Sequence, residues 1–272
     1  MSYCFLILLS GLSCKFVVTN RVNMIQIAVF SDVHGNLPAL DSVLKDIEER
    51  GIRQKFCLGD LVDFAPWGNE VIEKMRSLNI PCLMGNHDER IAFDIPVIPL
   101  SKHSEEETEV RFIAIDHSKK HITEENKRFL SALPFHLKLN YKIGNRHWNI
   151  QLVHSSLTSN DTYMYESEND EVFSDMLKES QSDVIVMGHT HLSFVKHFEN
   201  NGWAVNAGSV GRSKEDNRLA SYLILTLDEE NITPEIVQIT YPLEQTLLGI
   251  EKSGIPNYYA HFLSNKKISV KQ

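Results

Sequence analysis

The chain predicts an α/β fold of two mixed sheets packed face to face, with helices outside. Three observations predict it. The first third alternates apolar runs of strand length with amphipathic helical stretches, an order that implies parallel strands and right-handed crossovers. The second half is richer in strand-like runs joined by hairpin signals. Residues able to bind metal sit directly after several of these runs, where open α/β sheets gather their ligands at one edge.

Residues 25–30 form a continuous apolar run. Leu37, Leu40, Val43, Leu44 and Ile47 then recur at helical spacing, predicting a helix to about residue 50, with Gly51 at its C-terminus. Residues 55–58 read as a second strand and 69–78 as a second helix, with Val71, Ile72 and Met75 on one face. Residues 81–84 are expected as a third strand. Residues 89–135 break the alternation: 104–109 are acidic, and 123–133 read as a short helix stopped by Pro134. A largely helical insertion is expected there, either covering a site or forming a peripheral layer. Residues 136–143 and 147–153 flank Gly144-Asn145-Arg146, and 193–198 and 203–206 flank Asn200-Asn201-Gly202, giving two hairpins. Between them, 170–179 predict a helix and 183–187 a buried strand. Residues 220–227 and 234–241 complete the sheets. The expected organisation is an extension over 1–23, one domain over 24–241, and a helical tail over 242–272.

The 272 residues are 42% hydrophobic and 23% charged, ordinary for a globular protein. A net charge of −9 argues against stable nucleic-acid binding, which needs basic patches. The four cysteines include no Cys-x-x-Cys pair, so Cys57 and Cys82 are expected as buried, reduced thiols. The apolar stretch before Lys15 is too short to span a bilayer and lacks a basic leader, so no membrane span is expected. The preferred reading makes residues 1–23 dispensable and the protein cytoplasmic; export through that stretch is the second reading.

Five segments carry the chemistry: Asp32-Val33-His34, Gly59-Asp60, Gly85-Asn86-His87-Asp88, His154, and Gly188-His189-Thr190-His191. Without His87 and Asp88 they offer four imidazoles, two carboxylates and one amide oxygen, enough for two adjacent cations. Nitrogen and oxygen donors without thiolate suit Mn²⁺, Fe or Zn²⁺, and so many imidazoles disfavour Mg²⁺ or Ca²⁺. Phe64, Pro66 and Trp67 could line a pocket or pack a loop. Arg212 and Lys214 are expected as solvated loop charges, although contact with an anionic ligand is open to them.

The order and spelling of these segments resemble the calcineurin-like metallophosphoesterase superfamily. The motifs are Asp-x-His, Gly-Asp-x-x-Asp, Gly-Asn-His-Asp, a lone His and Gly-His-x-His, spread over roughly residues 24–241. Ser31 to Asn36 and the Asn206-Ala207-Gly208-Ser209-Val210-Gly211 segment resemble its small bacterial and archaeal branch. That branch usually carries His-Gly-Ser-Pro where this chain has His154-Ser155-Ser156-Leu157, which changes loop geometry but no ligand. The resemblance implies an α/β/β/α sandwich with a dinuclear metal site at one edge. It assigns Asp32, His34 and His191 to one ion, Asn86, His154 and His189 to the other, and Asp60 to both. It implies two divalent cations, Mn²⁺ foremost, and attack of a metal-bridging hydroxide on the phosphorus of a small phosphoester, a monoester or a diester. It places His87 at the leaving group, with Asp88 to orient it and Asp63 to brace the loop. The alternative is a catalytically silent scaffold, as in the retromer subunit that shares this fold. That type lacks the Gly-Asn-His histidine, which is present here as His87.

Overall fold

The computed structural model describes residues 24–99, 104–199 and 202–265. The reading of residues 1–23 as dispensable lies outside them. No described helix is long and apolar enough to cross a membrane.

Alternation along the strands builds the layers. In β1 (Met24–Phe30), Ile27 and Val29 face one way while Ala28 and Phe30 face the other, as the two-residue period of a strand requires. β1 pairs in parallel with β2 (Gln54–Cys57) and antiparallel with β8 (Ala220–Asp228), which pairs antiparallel with β9 (Ile232–Ile239). The second sheet orders β3 (His136–Ile143), β4 (Arg146–Val153), β5 (Val184–Met187), β7 (Gly202–Asn206) and β6 (Phe194–Phe198). There β4, β5 and β7 run parallel, and the two outer strands are antiparallel to their neighbours.

Both sheets are therefore mixed, and their inner faces share one core. Ile27, Val29, Leu223 and Leu225 of the first meet Ile150, Val184, Val186 and Val205 of the second. On the outer face of the first sheet, α1 (Leu37–Glu49) and α2 (Gly68–Ser77) cover Ala28, Phe30 and Tyr222 with Leu40, Val43, Ile47 and Val71. On the outer face of the second, α6 (Asp170–Ser180) covers Ile185 and Met187 with Phe173 and Leu177. The result is the four-layer sandwich that the sequence predicts.

The predicted third strand is not sustained. Residues 81–84 make a single parallel bridge between Cys57 and Cys82, with two bonds of 2.9 Å. Pro81 brings no N–H to a ladder, and the Met84 N–H turns away to Pro134 O at 2.9 Å. The chain instead enters α3 (Asn86–Ala92), a helix absent from the sequence reading. The insertion contains α4 (Glu105–His121) and α5 (Glu124–Ser131). Ser104 starts α4 by accepting from Glu107 N, while the Glu107 side chain accepts from Ser104 N. The tail folds into α7 (Leu243–Glu251) and α8 (Tyr258–Leu263), whose apolar residues pack with Phe64, Ala65 and Ala114. The tail is thus part of the folded body.

Candidate metal centre

The ligand loops follow the C-terminal ends of β1, β2, β4 and β5, and of the bridge at Cys82. Backbone bonds fasten them together: Asp32 N–H to Gly59 O at 3.0 Å, His34 N–H to Asp60 O at 2.9 Å, and Gly188 N–H to His154 O at 2.9 Å. Asp32, His34, Asp60, His189 and His191 all adopt left-handed backbone, with φ between 48° and 65°. Asp and His tolerate that region better than most residues, and such conformations concentrate at functional sites. In extended backbone, residues two apart such as His189 and His191 would share a face. They reach the site through two left-handed turns instead, and each joins a different ligand group. Gly85 is required by space: a Cβ there would lie 2.1 Å from Asp60 Oδ1.

Asp32, His34, Asp60 and His191 form one buried group of candidate ligand atoms, and Asp60, His154 and His189 form another. Asp60 belongs to both. Its Oδ1 accepts from His87 N–H at 2.8 Å. Its Oδ2 lies 3.6 Å from His34 Nε2 and 3.5 Å from His154 Nε2, between the two groups. Asn86 extends the second group, with Oδ1 3.2 Å from His189 Nδ1. All seven expected ligands thus come together.

The donor atoms are prepared for a cation. His34, His154 and His191 turn Nδ1 to the carbonyls of Val62 (3.0 Å), Leu58 (2.9 Å) and Arg212 (2.7 Å). That arrangement fixes each ring and frees Nε2. Asp32 Oδ1, His154 Nε2 and His189 Nε2 are buried without a hydrogen-bond partner. Each such atom costs about 1–3 kcal/mol when left so; a cation would satisfy Asp32 Oδ1 and His154 Nε2, whereas His189 faces Asn86 through Nδ1 and turns Nε2 toward Asp161. Burial holds His34 and His189 down to about 3, so both are neutral, the form that binds metal. At His154 burial also pulls downward, but the Asp60 carboxylate outweighs it and lifts the ring to about 9. A proton there occupies the place of a cation.

His87 and Asp88 divide differently from expectation. The Asp88 carboxylate accepts from the N–H groups of Asp60 (2.7 Å), Leu61 (2.8 Å) and Gly85 (3.0 Å), so it shapes the ligand loops and does not orient His87. The partner of His87 is Asp63, with Oδ2 2.6 Å from Nδ1. Burial lowers His87 and raises Asp63 to about 7. While Asp63 is protonated it donates to His87 Nδ1, and the neutral ring then carries its own proton on Nε2.

His87, Asn86, His189 and His191 border a cleft of about 280 Å³. Its other walls include Phe64, Arg111 of α4, Tyr163, Arg212, Lys214, and Tyr259 and Phe262 of α8. Phe64 therefore faces the cleft, whereas Trp67 packs against Gly249 of α7. Arg212 is no solvated loop charge, because its guanidinium lies among aromatic rings. The sequence signal for this wall was faint: Tyr258, Tyr259 and Phe262 have helical spacing, but nothing local says that α8 folds back over the site. Cys57 and Cys82 are free and buried.

Two groups of buried imidazole and carboxylate donors sharing one aspartate form a potential site for divalent metal. The family model described as calcineurin-like phosphoesterase matches residues 25–193, and the chain belongs to that family. An uncharacterized protein of Methanocaldococcus jannaschii is 33% identical over 248 residues, covering 85% of this chain and 94% of that one. Two solved structures share the fold. A hypothetical protein of Pyrococcus horikoshii superposes with a TM-score of 0.74 at 20% identity, covering 88% of this chain and 97% of its own. A metallophosphoesterase of Sphaerobacter thermophilus gives 0.68 at 22% identity, covering 88% and 98%.

Proposed function

We propose that the chain hydrolyses small phosphomonoesters or phosphodiesters with two divalent cations, Mn²⁺ foremost and Fe or Zn as alternatives. The observation that carries this reading is the pair of ligand groups meeting at Asp60, with Asp32 Oδ1 and His154 Nε2 buried and unsatisfied. Asp32, His34, Asp60 and His191 would hold one ion; Asp60, Asn86, His154 and His189 would hold the other. Cations so held supply Lewis acidity toward phosphoryl oxygens and a hydroxide nucleophile near neutral pH.

The chain's own residues do the rest. The bond from Asp60 Oδ1 to the His87 N–H fixes the shared carboxylate and leaves Oδ2 for both groups. Asp88 holds the two loops that carry Asp60 and Asn86 in register. As a water oxygen bonds to phosphorus, the bond to the leaving oxygen breaks and that oxygen takes a proton. His87 Nε2 would give it, a reading supported by the hold of Asp63 on Nδ1 and by the place of His87 on the cleft. A cleft of about 280 Å³ suits a small molecule better than a polymer.

The test is turnover of p-nitrophenyl phosphate and bis(p-nitrophenyl) phosphate by purified protein supplied with Mn²⁺, Fe²⁺, Zn²⁺ or Co²⁺. Activity that EDTA abolishes and metal restores is expected. Tight metal binding without turnover of any ester would leave the scaffold reading. Turnover indifferent to EDTA would remove the metal from the mechanism.

A further inference from the structure

One wall of the cleft carries positive charge that the metal chemistry does not use. Arg212 is fixed against both ligand loops through its neighbourhood: Gly211 N–H donates to Asp32 O at 3.0 Å, and the Arg212 carbonyl accepts from His191 Nδ1 at 2.7 Å. Its guanidinium carbon lies 4.3 Å from the Phe64 ring centroid, 4.8 Å from Phe262 and 5.5 Å from Tyr259. Its contacts among the described residues are rings, not carboxylates, and its buried Nε finds no hydrogen-bond partner. Aromatic faces hold a guanidinium without consuming its N–H groups, whereas a carboxylate would consume them. An arginine held this way presents a planar fork to an incoming anion. Arg111, from α4, borders the same cleft and commits one N–H to Ile98 O at 2.9 Å.

Phe64 stands between this wall and both His87 and His34, its ring 4.9 Å from each. The Phe64 ring lies 4.9 Å from the His87 ring and 4.3 Å from the Arg212 guanidinium, so Arg212 stands one ring removed from His87. Under the proposed function His87 faces the leaving oxygen. The chemical group that meets Arg212 therefore sits on the leaving group, flanked by Phe64 and Tyr259.

We propose that Arg212, with Arg111, forms a subsite for a second anionic group. The preferred substrates are then small phosphoesters whose leaving group carries a phosphate or carboxylate on a ring-bearing body. This inference rests on the phosphoesterase reading above.

Matched substrate pairs test it, using the full chain with Mn²⁺. One pair is adenosine 3′,5′-bisphosphate against adenosine 5′-monophosphate. The other is 4-carboxyphenyl phosphate against phenyl phosphate. The pairs separate a second phosphate from a carboxylate. The doubly anionic member of at least one pair should have the higher kcat/KM. Arg212→Met, which keeps bulk against the rings, should lower that preference roughly 10–100-fold, the range for losing a hydrogen bond to a charged group. The loss should fall mainly on KM, and Arg212→Lys should recover part of it. Equal kcat/KM within both pairs would overturn the subsite while leaving the esterase reading intact. An equal loss on all four esters in Arg212→Met would place Arg212 on the scissile phosphoryl group and overturn the subsite too. If no ester is turned over, the esterase reading fails, and calorimetry with adenosine 3′,5′-bisphosphate still decides the subsite. Binding weakened tenfold or more by Arg212→Met supports it; absent or unchanged binding overturns it.

Discussion

Under the proposed function, a proton on His87 Nε2 and the shared carboxylate of Asp60 carry most of the chemistry. If His87 is the acid, removing it hurts most where the leaving group is most basic. His87→Ala should lower kcat by roughly 10²–10⁴-fold on an alkyl phosphoester and much less on a p-nitrophenyl ester. Metal content should stay near wild type, because His87 is outside both ligand groups. Equal losses on both esters would make His87 a stabiliser of phosphoryl charge. Asp60→Asn addresses the shared ligand. The amide carries no charge and has one acceptor oxygen in place of two, so metal analysis should show clear loss of both ions. Two ions retained at full activity would make Asp60 a bystander. The seven candidate ligands, which the fold brings together, were legible in the sequence because their chemistry is in their side chains and their order along the chain. The partner of His87 was not, because Asp63 and Asp88 are both carboxylates near the right loops. Only the fold shows that Asp88 is spent on three backbone N–H groups. The aromatic setting of Arg212 was hidden for the same reason, since it comes from Phe64 and from residues about fifty positions onward in the chain.

Among the elements, those with a strong period were readable and those stabilised by distant partners were not. The stripe of α1 and the hairpin signal at Gly144 are local, and both elements form where expected. Residues 81–84 look like a strand locally, but their hydrogen bonds go to Cys57 and Pro134, so no ladder extends. The 206–212 loop shows how closely non-local packing governs the centre. Gly211 lies so near the Asp32–His34 loop that a Cβ would fall 1.8 Å from Val33 O and 2.9 Å from Asn36 Cβ. Gly211→Ala must push the two loops apart. Overpacking of this kind costs about 1–3 kcal/mol, which lowers Tm by roughly 2–12 °C for a domain of this size. Weaker metal binding should accompany it, because Asp32 and the Arg212 carbonyl that holds His191 move with those loops. Unchanged Tm and metal affinity would show that the loop yields without involving the ligands.

At the scale of the whole molecule, two sheets share one core and bring buried charges to their common edge. Fold stability and metal binding are therefore linked, because a cation that binds only the folded chain stabilises it. Adding Mn²⁺ should raise Tm, and EDTA should reverse the rise. The pH dependence follows from His154. Its ring is raised from 6.5 to about 9 in the metal-free fold, chiefly by Asp60 against the opposing effect of burial. A raised histidine contributes stability that is fully present below about pH 6.5 and is lost as pH climbs through 9. The metal-free protein therefore weakens across that window. The metal-bound protein does not, because the cation has replaced the proton and no longer competes with it. The rise in Tm on adding Mn²⁺ should thus be larger at pH 8.5 than at pH 6.5. His154→Gln should remove most of that pH dependence, since its amide does not titrate. A metal-induced rise that shrinks toward pH 8.5, or one that keeps its full pH dependence in His154→Gln, would mean that another group holds the proton the metal displaces.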